Sequence, residues 1–270
     1  MTGDDHVLAR DLAGQAGRRL LELRAQGGDP DVLRKAGDRL SHEFLVAALA
    51  GLRPDDVVLS EEAADSPARL GARRVWIVDP LDGTREFGEP GRTDWAVHVA
   101  LWDRSAGRTG DLTAGAVALP AQGRVLSTLE PPPRSDVSAS EAGEGNGGDE
   151  SAVTAAPLRI VVSRSRPPGF VRNISGLIDA ELVPLGSAGA KVAAVINGEV
   201  DAYVHGGGFY EWDTAAPVAV ARAAGLHASR IDGSALAYNQ ADLLMPDILV
   251  CRPAVAGTLL QAIREVTNAP

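Results

Sequence analysis

Asp79-Pro80-Leu81-Asp82-Gly83-Thr84 gathers two carboxylates and a hydroxyl around a Pro and a Gly within six residues. The apolar run before it, 75–78, reads as a strand, so the acids reach the rim of a sheet, where open α/β layers bind ligands. Pro80 fixes one backbone angle, and Gly83 lets the chain turn sharply with nothing crowding its amide. Two carboxylates three residues apart on a rigid turn suit a hard, oxygen-seeking cation. Two more acidic segments bear on this chemistry. Glu61 and Glu62 follow a short strand at 57–59, and Asp213 stands in Trp212-Asp213-Thr214-Ala215-Ala216-Pro217, just before an apolar helix. Taken singly, the glutamates read as a solvated loop and Asp213 as a helix N-cap.

Together, Glu61, Asp79, Leu81, Asp82, Thr84 and Asp213 resemble the metal-site signature of the lithium-sensitive inositol monophosphatase superfamily. That family pairs an acidic loop, a D-P-x-D-G-T turn and a distal W-D-x-A motif, and all three occur here in that order. The resemblance covers the chain from about 36 to about 225. Within the superfamily, the runs VLSEEAADS, VDPLDGTREF and EWDTAAPVAVARAAG look most like the bacterial bisphosphate nucleotidases, in their actinobacterial version.

The resemblance implies a layered α-β-α-β-α sugar-phosphatase fold and an Mg²⁺-dependent phosphomonoesterase with two or three ions per site. Its implied reaction removes the 3′-phosphate of 3′-phosphoadenosine 5′-phosphate, giving AMP and phosphate; the sulfated relative of that nucleotide is a further substrate. Inositol monophosphate and fructose 1,6-bisphosphate are the alternatives, as main or promiscuous substrates. A catalytically silent sensor of phosphorylated ligands would need a broken site, whereas every ligand position is filled. Glu61, Asp79 and the Leu81 carbonyl are the implied ligands of one ion, with Asp79 bridging to a second held by Asp82 and Asp213. Thr84 would orient the attacking water and help take its proton. Asp38 is its implied partner and a possible ligand of a third ion. The amides of Gly83 and Thr84 would hold phosphate oxygens, and Glu62 would stand behind the ligand Glu61. Inhibition by Li⁺ and a homodimer also follow from the resemblance.

Substrate choice is expected to lie in the second half. Ser187 and Lys191 resemble a substrate-contacting segment of the nucleotidases, and Arg164 and Arg166 are comparable cations for a second phosphate. Inositol-specific members carry an acid seven residues before the W-D aspartate; this chain has Gly206 there. His98, in the middle of an apolar strand, is expected to be structural, and neither His205 nor His227 falls in a metal motif.

The elements that must position these residues are partly legible. Leu8, Leu12, Ala16, Leu20 and Leu23 fall at helical spacing behind Asp4 and Asp5, and Gly27-Gly28 ends that helix. A second helix is expected from about Asp38, then strands at 57–59, 75–78, 96–101, 114–119 and 124–128. The stretch 131–157 holds almost no large apolar side chain and reads as a flexible segment, either a linker between halves or an insertion in a hairpin. Beyond it strands at 158–162, 182–185, 201–204 and 248–251 alternate with helices at 168–178, 188–197, 214–224 and 254–266. The expected fold class is therefore α/β: an α+β first half (1–130) carrying the metal ligands, and an α/β second half (158–270) completing the site.

Composition narrows the partners. The 270 residues include 26 Lys plus Arg against 36 Asp plus Glu, a formal charge of −10. That sign argues against gripping nucleic acid over a broad surface, but not against a phosphorylated small molecule, since a bound cation reverses the local field. A single cysteine, Cys251, excludes an internal disulfide. No apolar run approaches the roughly 18 residues of a membrane span, and the N-terminus lacks an apolar signal core. A cytoplasmic location is expected.

Overall fold

The structure, a computed structural model, describes residues 4–132, 157–165 and 167–267. Helix α1 (Asp5–Ala25) is capped by Asp4, whose Oδ1 accepts from the His6 amide at 2.9 Å. Helix α2 (Pro30–Leu52) starts eight residues before the position expected from its apolar face. Asp29 caps it by accepting from the amides of Asp31 and Val32, and Pro30 supplies a first-turn residue with no amide to satisfy. After them come β1 (Val57–Ser60), β2 (Arg74–Asp82), the short α3 (Thr84–Gly88), β3 (Ala96–Asp103), β4 (Asp111–Leu119) and β5 (Arg124–Ser127). The five strands form one sheet in the order β1-β2-β3-β4-β5, parallel only at its β1–β2 edge.

The second sheet begins with β6 (Leu158–Ser163). It is followed by α4 (Gly169–Leu177), β7 (Ala180–Leu185), α5 (Ala188–Ile196), β8 (Ala202–His205), β9 (Phe209–Tyr210) and α6 (Glu211–Ala223). The described chain ends with β10 (His227–Ser229), β11 (Leu244–Met245), β12 (Ile248–Cys251) and α7 (Pro253–Thr267). The sheet order is β10-β12-β8-β6-β7, with parallel pairing where β6 meets β7 and β8. Strands β5 and β6 therefore belong to different sheets. Of the intervening 131–157 stretch only 131, 132 and 157 are described, so its expected flexibility lies outside the described residues.

Strand alternation builds the layers. In β2, Trp76 and Val78 face a core shared with α1 and α2, while Val75 and Ile77 face a second core shared with α5 and α6. In β12, Ile248 and Val250 face that second core, while Leu249 and Cys251 face a third, made with α4 and α7. The result is the expected α-β-α-β-α stack, with α5 and α6 sandwiched between the sheets. Among the described residues no helix is long and apolar enough to cross a membrane.

Candidate active site

Strand β2 does not stop at Val78, as the sequence suggests; its pairing with β3 runs on to Asp82 through an irregularity. Asp79 lies opposite His98, and Asp82 opposite Ala96. Three steps on β2 thus match two on β3, so one extra residue is accommodated. In a regular strand residues three apart face opposite sides, and a bulge cancels that alternation. It brings Asp79 and Asp82 together: carboxylate oxygens of Asp79, Asp82 and Asp213 all lie within 4.8 Å of one another.

Gly83 makes the next turn with φ +86°, a left-handed conformation that side chains resist. A Cβ there would stand 2.9 Å from the Ser187 Cβ, so the turn of the first half is pressed directly on the start of α5. Behind the turn, α2 packs through Gly37, where a Cβ would meet the Phe87 ring at 2.8 Å. This approach brings Asp38 to Thr84. The Thr84 Oγ1 lies 3.2 Å from Asp38 Oδ1 and 3.0 Å from the Leu81 carbonyl oxygen.

Asp213 arrives from the second half. Helix α6 begins at Glu211, three residues before the expected start, so Asp213 sits in its first turn and accepts from the Tyr210 amide at 2.6 Å. Tyr210, not Asp213 as the sequence suggests, is the N-cap; Asp213, at the third helical position, closes a capping box and faces the acid cluster as well. His98 joins the two sides: its fully buried ring lies 3.1 Å from Asp82 Oδ2 through Nε2 and 3.1 Å from the Trp212 carbonyl through Nδ1. Its structural reading holds, with a role at this site that periodicity could not reveal.

The electrostatics are those of carboxylates short of positive charge. Burial, then the charges of Glu61, Asp82 and Asp213, hold Asp79 well above its ordinary value. Asp79 Oδ2 is buried and has no hydrogen-bond partner. Asp213 is pushed up to about 6 by burial and by Asp82. Glu61 is exposed as a residue, but its carboxyl stands among the others and is pushed up to about 7 by desolvation and by Asp213. Asp82 alone falls below the ordinary range: burial opposes this, but the charges of His98 and Lys191 and the Gly189 amide, at 2.6 Å, prevail. Such a set, with an orphaned buried oxygen at its centre, fits a hard divalent cation.

Beside the cluster opens a cavity of about 510 Å³, with Asp82, Gly83, Thr84 and Asp213 on one side. Ser163, Phe170, Ser187, Lys191 and Tyr203 line its other walls. Ser187 caps α5, its Oγ accepting from the Ala190 amide at 2.8 Å. Lys191 is 4% exposed; its Nζ donates to the carbonyls of Gly186 and Ser187 and sits 5.4 Å from the Tyr203 ring centroid. Burial pulls its ammonium below the ordinary value, and Asp82 opposes that. Arg164 does not line the cavity: Glu86 and Glu89 take up its guanidinium at 2.7 and 2.9 Å. Arg166 lies outside the described residues. Glu62 is exposed, and its charge acts on Asp38 and Glu61.

Several cavity residues were not singled out by the sequence, Arg85, Ser163, Phe170 and Tyr203 among them. Arg85, exposed on the rim, directly follows the D-P-L-D-G-T turn, a signal that was available. Phe170 carries no such signal, since long-range packing brings it there, and His205, set aside because it falls in no metal motif, lines the cavity as well. Gly206 also lines the cavity, and a Cβ on it would meet the Phe170 ring at 2.6 Å, so an acid at 206 would displace that ring.

Comparison with known proteins agrees with this architecture. The chain is 51% identical over 268 residues to the 3′-phosphoadenosine 5′-phosphate phosphatase of Mycobacterium leprae (strain TN), covering 97% of this chain and 94% of that protein. It is 31% identical over 242 residues to the 3′(2′),5′-bisphosphate nucleotidase CysQ of Escherichia coli (strain K12), covering 84% and 91%. The fold matches the solved inositol monophosphatase from Anabaena (Nostoc) sp. PCC 7120 with a TM-score of 0.72 at 20% identity, over 96% of this chain and 95% of that one. Residues 9–268 match the inositol monophosphatase family as a whole. With the acid cluster, the D-P-L-D-G-T turn and the layered fold all accounted for, the chain belongs to the inositol monophosphatase family.

Proposed function

We propose that the protein is an Mg²⁺-dependent phosphomonoesterase that hydrolyses the 3′-phosphate of 3′-phosphoadenosine 5′-phosphate, yielding AMP and phosphate. The observation that carries the chemistry is the orphaned Asp79 Oδ2 at the centre of a carboxylate cluster that borders a substrate-sized cavity. The choice of substrate is supported by the 51% identity to a phosphatase named for that nucleotide. It is also supported by Gly206, packed under Phe170, where inositol-specific relatives would carry an acid.

Glu61, Asp79, Asp82, Asp213 and the Leu81 carbonyl would hold two Mg²⁺, and Asp38 is available to a third. When bound, Mg²⁺ supplies a water of lowered pKa and positive charge beside the attacking and leaving oxygens. The chain supplies the rest. Thr84 Oγ1 donates to Asp38 Oδ1, which leaves its lone pairs to accept from the attacking water and aim it at phosphorus. Burial, reinforced by the charge of Glu62, pushes Asp38 up to about 6, which suits it to receive the proton that passes through Thr84. The amides of Gly83 and Thr84, at the turn, hold phosphate oxygens. Ser187 shapes the facing wall by fixing the first turn of α5. Lys191 keeps one of its three N–H donors for the second phosphate, and Arg85 meets it from the rim. Arg164 acts indirectly, by holding Glu86 and Glu89 of the segment after the turn.

Li⁺ would compete for the Mg²⁺ positions with half the charge, so millimolar Li⁺ inhibits. A homodimer in the cytoplasm is the proposed working form. The test is to incubate the purified protein with the bisphosphate nucleotide, with and without Mg²⁺, and identify the products. AMP and phosphate formed only with Mg²⁺ support the proposal; 3′-AMP, from loss of the other phosphate, overturns it.

A further inference from the structure

The ligands Glu61 and Asp213 come from different halves, and like charges brought together repel. Something must hold the two elements that carry them against that repulsion. On the first half the chain runs from Glu61 into a 3-10 turn, Pro67–Gly71, which carries Arg69. This arginine is 1% exposed. Its Nε donates to Asp65 Oδ1 at 2.7 Å, within the acidic loop itself. Its other nitrogens cross to the second half, Nη1 to Asn239 Oδ1 at 2.8 Å and Nη2 to the Gln240 carbonyl at 2.7 Å. Asn239 returns a bond from Nδ2 to the Arg69 carbonyl at 3.3 Å.

The same two residues then grip α6. The amides of Asn239 and Gln240 each donate at 2.7 Å to one carboxylate oxygen of Glu211, which is fully buried. Asn239 adopts φ +58°, a left-handed conformation uncommon for residues with a side chain. Residues two apart on a helix point to different faces, so Glu211 cannot join Asp213 in the cage. A buried carboxylate held by two amides and coupled to a buried guanidinium is costly to form, and helix capping alone needs neither partner.

We infer that Arg69, Asn239 and Glu211 form a clamp that sets the spacing of Glu61 and Asp213 across the seam, and so the protein's affinity for Mg²⁺. They are positioning residues and touch neither metal nor substrate. The inference rests on the metal site proposed above. Coupling is reciprocal: if the clamp favours Mg²⁺ binding, Mg²⁺ must steady the clamp.

Two measurements test this with Mg²⁺ alone as the probe. Titration calorimetry on Glu211→Gln and Arg69→Lys is expected to give a roughly tenfold weaker Mg²⁺ Kd, with substrate KM at saturating Mg²⁺ within about twofold of wild type. Hydrogen exchange on the wild-type protein is expected to slow about tenfold at the amides of Asn239 and Gln240 when Mg²⁺ is added. Variants that melt earlier but bind Mg²⁺ as the wild type does overturn the clamp and leave only a structural brace. If a variant fails to fold, the wild-type exchange decides: protection upholds the clamp, and unchanged amides overturn it. A wild-type protein that binds no Mg²⁺ overturns the metal reading and the clamp with it, an outcome distinct from loss of the clamp alone.

Discussion

A hydroxyl has one proton to give, and Thr84 Oγ1 has two acceptors within reach, Asp38 and the Leu81 carbonyl. Neither bond is needed to keep Asp79, Asp82 and Asp213 clustered. Replacing Thr84 with Ala is therefore expected to lower kcat by about a hundred- to a thousandfold while Mg²⁺ affinity stays within about threefold, as steady-state kinetics and calorimetry would measure. Parallel losses of both would make Thr84 a support of the turn. Asp79→Asn should behave differently: it removes charge from the centre of the cluster, so rate falls about a thousandfold or more and Mg²⁺ binding weakens with it. Arg85 tests specificity more cleanly than Lys191, whose ammonium also holds two backbone carbonyls. Arg85→Ala is expected to lower kcat/KM on the bisphosphate nucleotide about tenfold, the value of a charge-assisted hydrogen bond. Turnover of inositol monophosphate, which lacks the second phosphate, should stay within about twofold; equal losses on both would withdraw that role. Residues of this kind were legible when they stood inside a contiguous motif, as Asp79, Asp82 and Thr84 do. His98 and Glu211 were not, because their partners lie 16 and 28 residues or more away in the chain.

At the level of elements, the site depends on two backbone devices, the bulge between Asp79 and Asp82 and the left-handed turn at Gly83. An Ala at 83 would combine an unfavourable φ with a Cβ 2.9 Å from Ser187. Gly83→Ala should cost about 1–3 kcal/mol of stability and push the halves apart at the site. Chemical denaturation reads the first effect and a raised substrate KM the second; a variant with wild-type values for both would remove the turn from the account. Most strands could be placed from sequence because each is a short apolar run bounded by Gly, Pro or charged residues. The bulge was not visible, since it arises from pairing with β3 rather than from β2 itself. The early start of α2 was legible in Asp29-Pro30, but the apolar face that draws attention, with Leu40, Phe44 and Ala47, begins only after Asp38.

For the whole molecule, the candidate active site lies on the seam between two sheets, so its acids cost stability that a bound cation would return. Glu61, Asp79 and Asp213 are held above their ordinary values, and Asp82 alone below. A carboxylate whose folded pKa is raised keeps its stability below the unfolded value and loses it as pH rises through the folded one. The metal-free protein is therefore expected to lose melting temperature as pH rises from about 4, the ordinary carboxylate range, to about 7, by which point Asp213 and Glu61, pushed up to about 6 and about 7, have given up their protons. Mg²⁺, which competes with those protons, should raise Tm more at pH 8 than at pH 5.5; a shift independent of pH would contradict the shared site. The five-layer stack was within reach of the sequence through its motifs, whereas the seam that Arg69, Asn239 and Glu211 cross emerges only when both halves are folded together. The central claim concerns substrate, and it is tested most directly by kcat/KM on 3′-phosphoadenosine 5′-phosphate, inositol monophosphate and fructose 1,6-bisphosphate, measured side by side at saturating Mg²⁺. The account predicts that the nucleotide is turned over at least about tenfold more efficiently than either sugar phosphate, a preference of about 1.4 kcal/mol or more in transition-state binding. An equal or greater efficiency on inositol monophosphate or fructose 1,6-bisphosphate would contradict it.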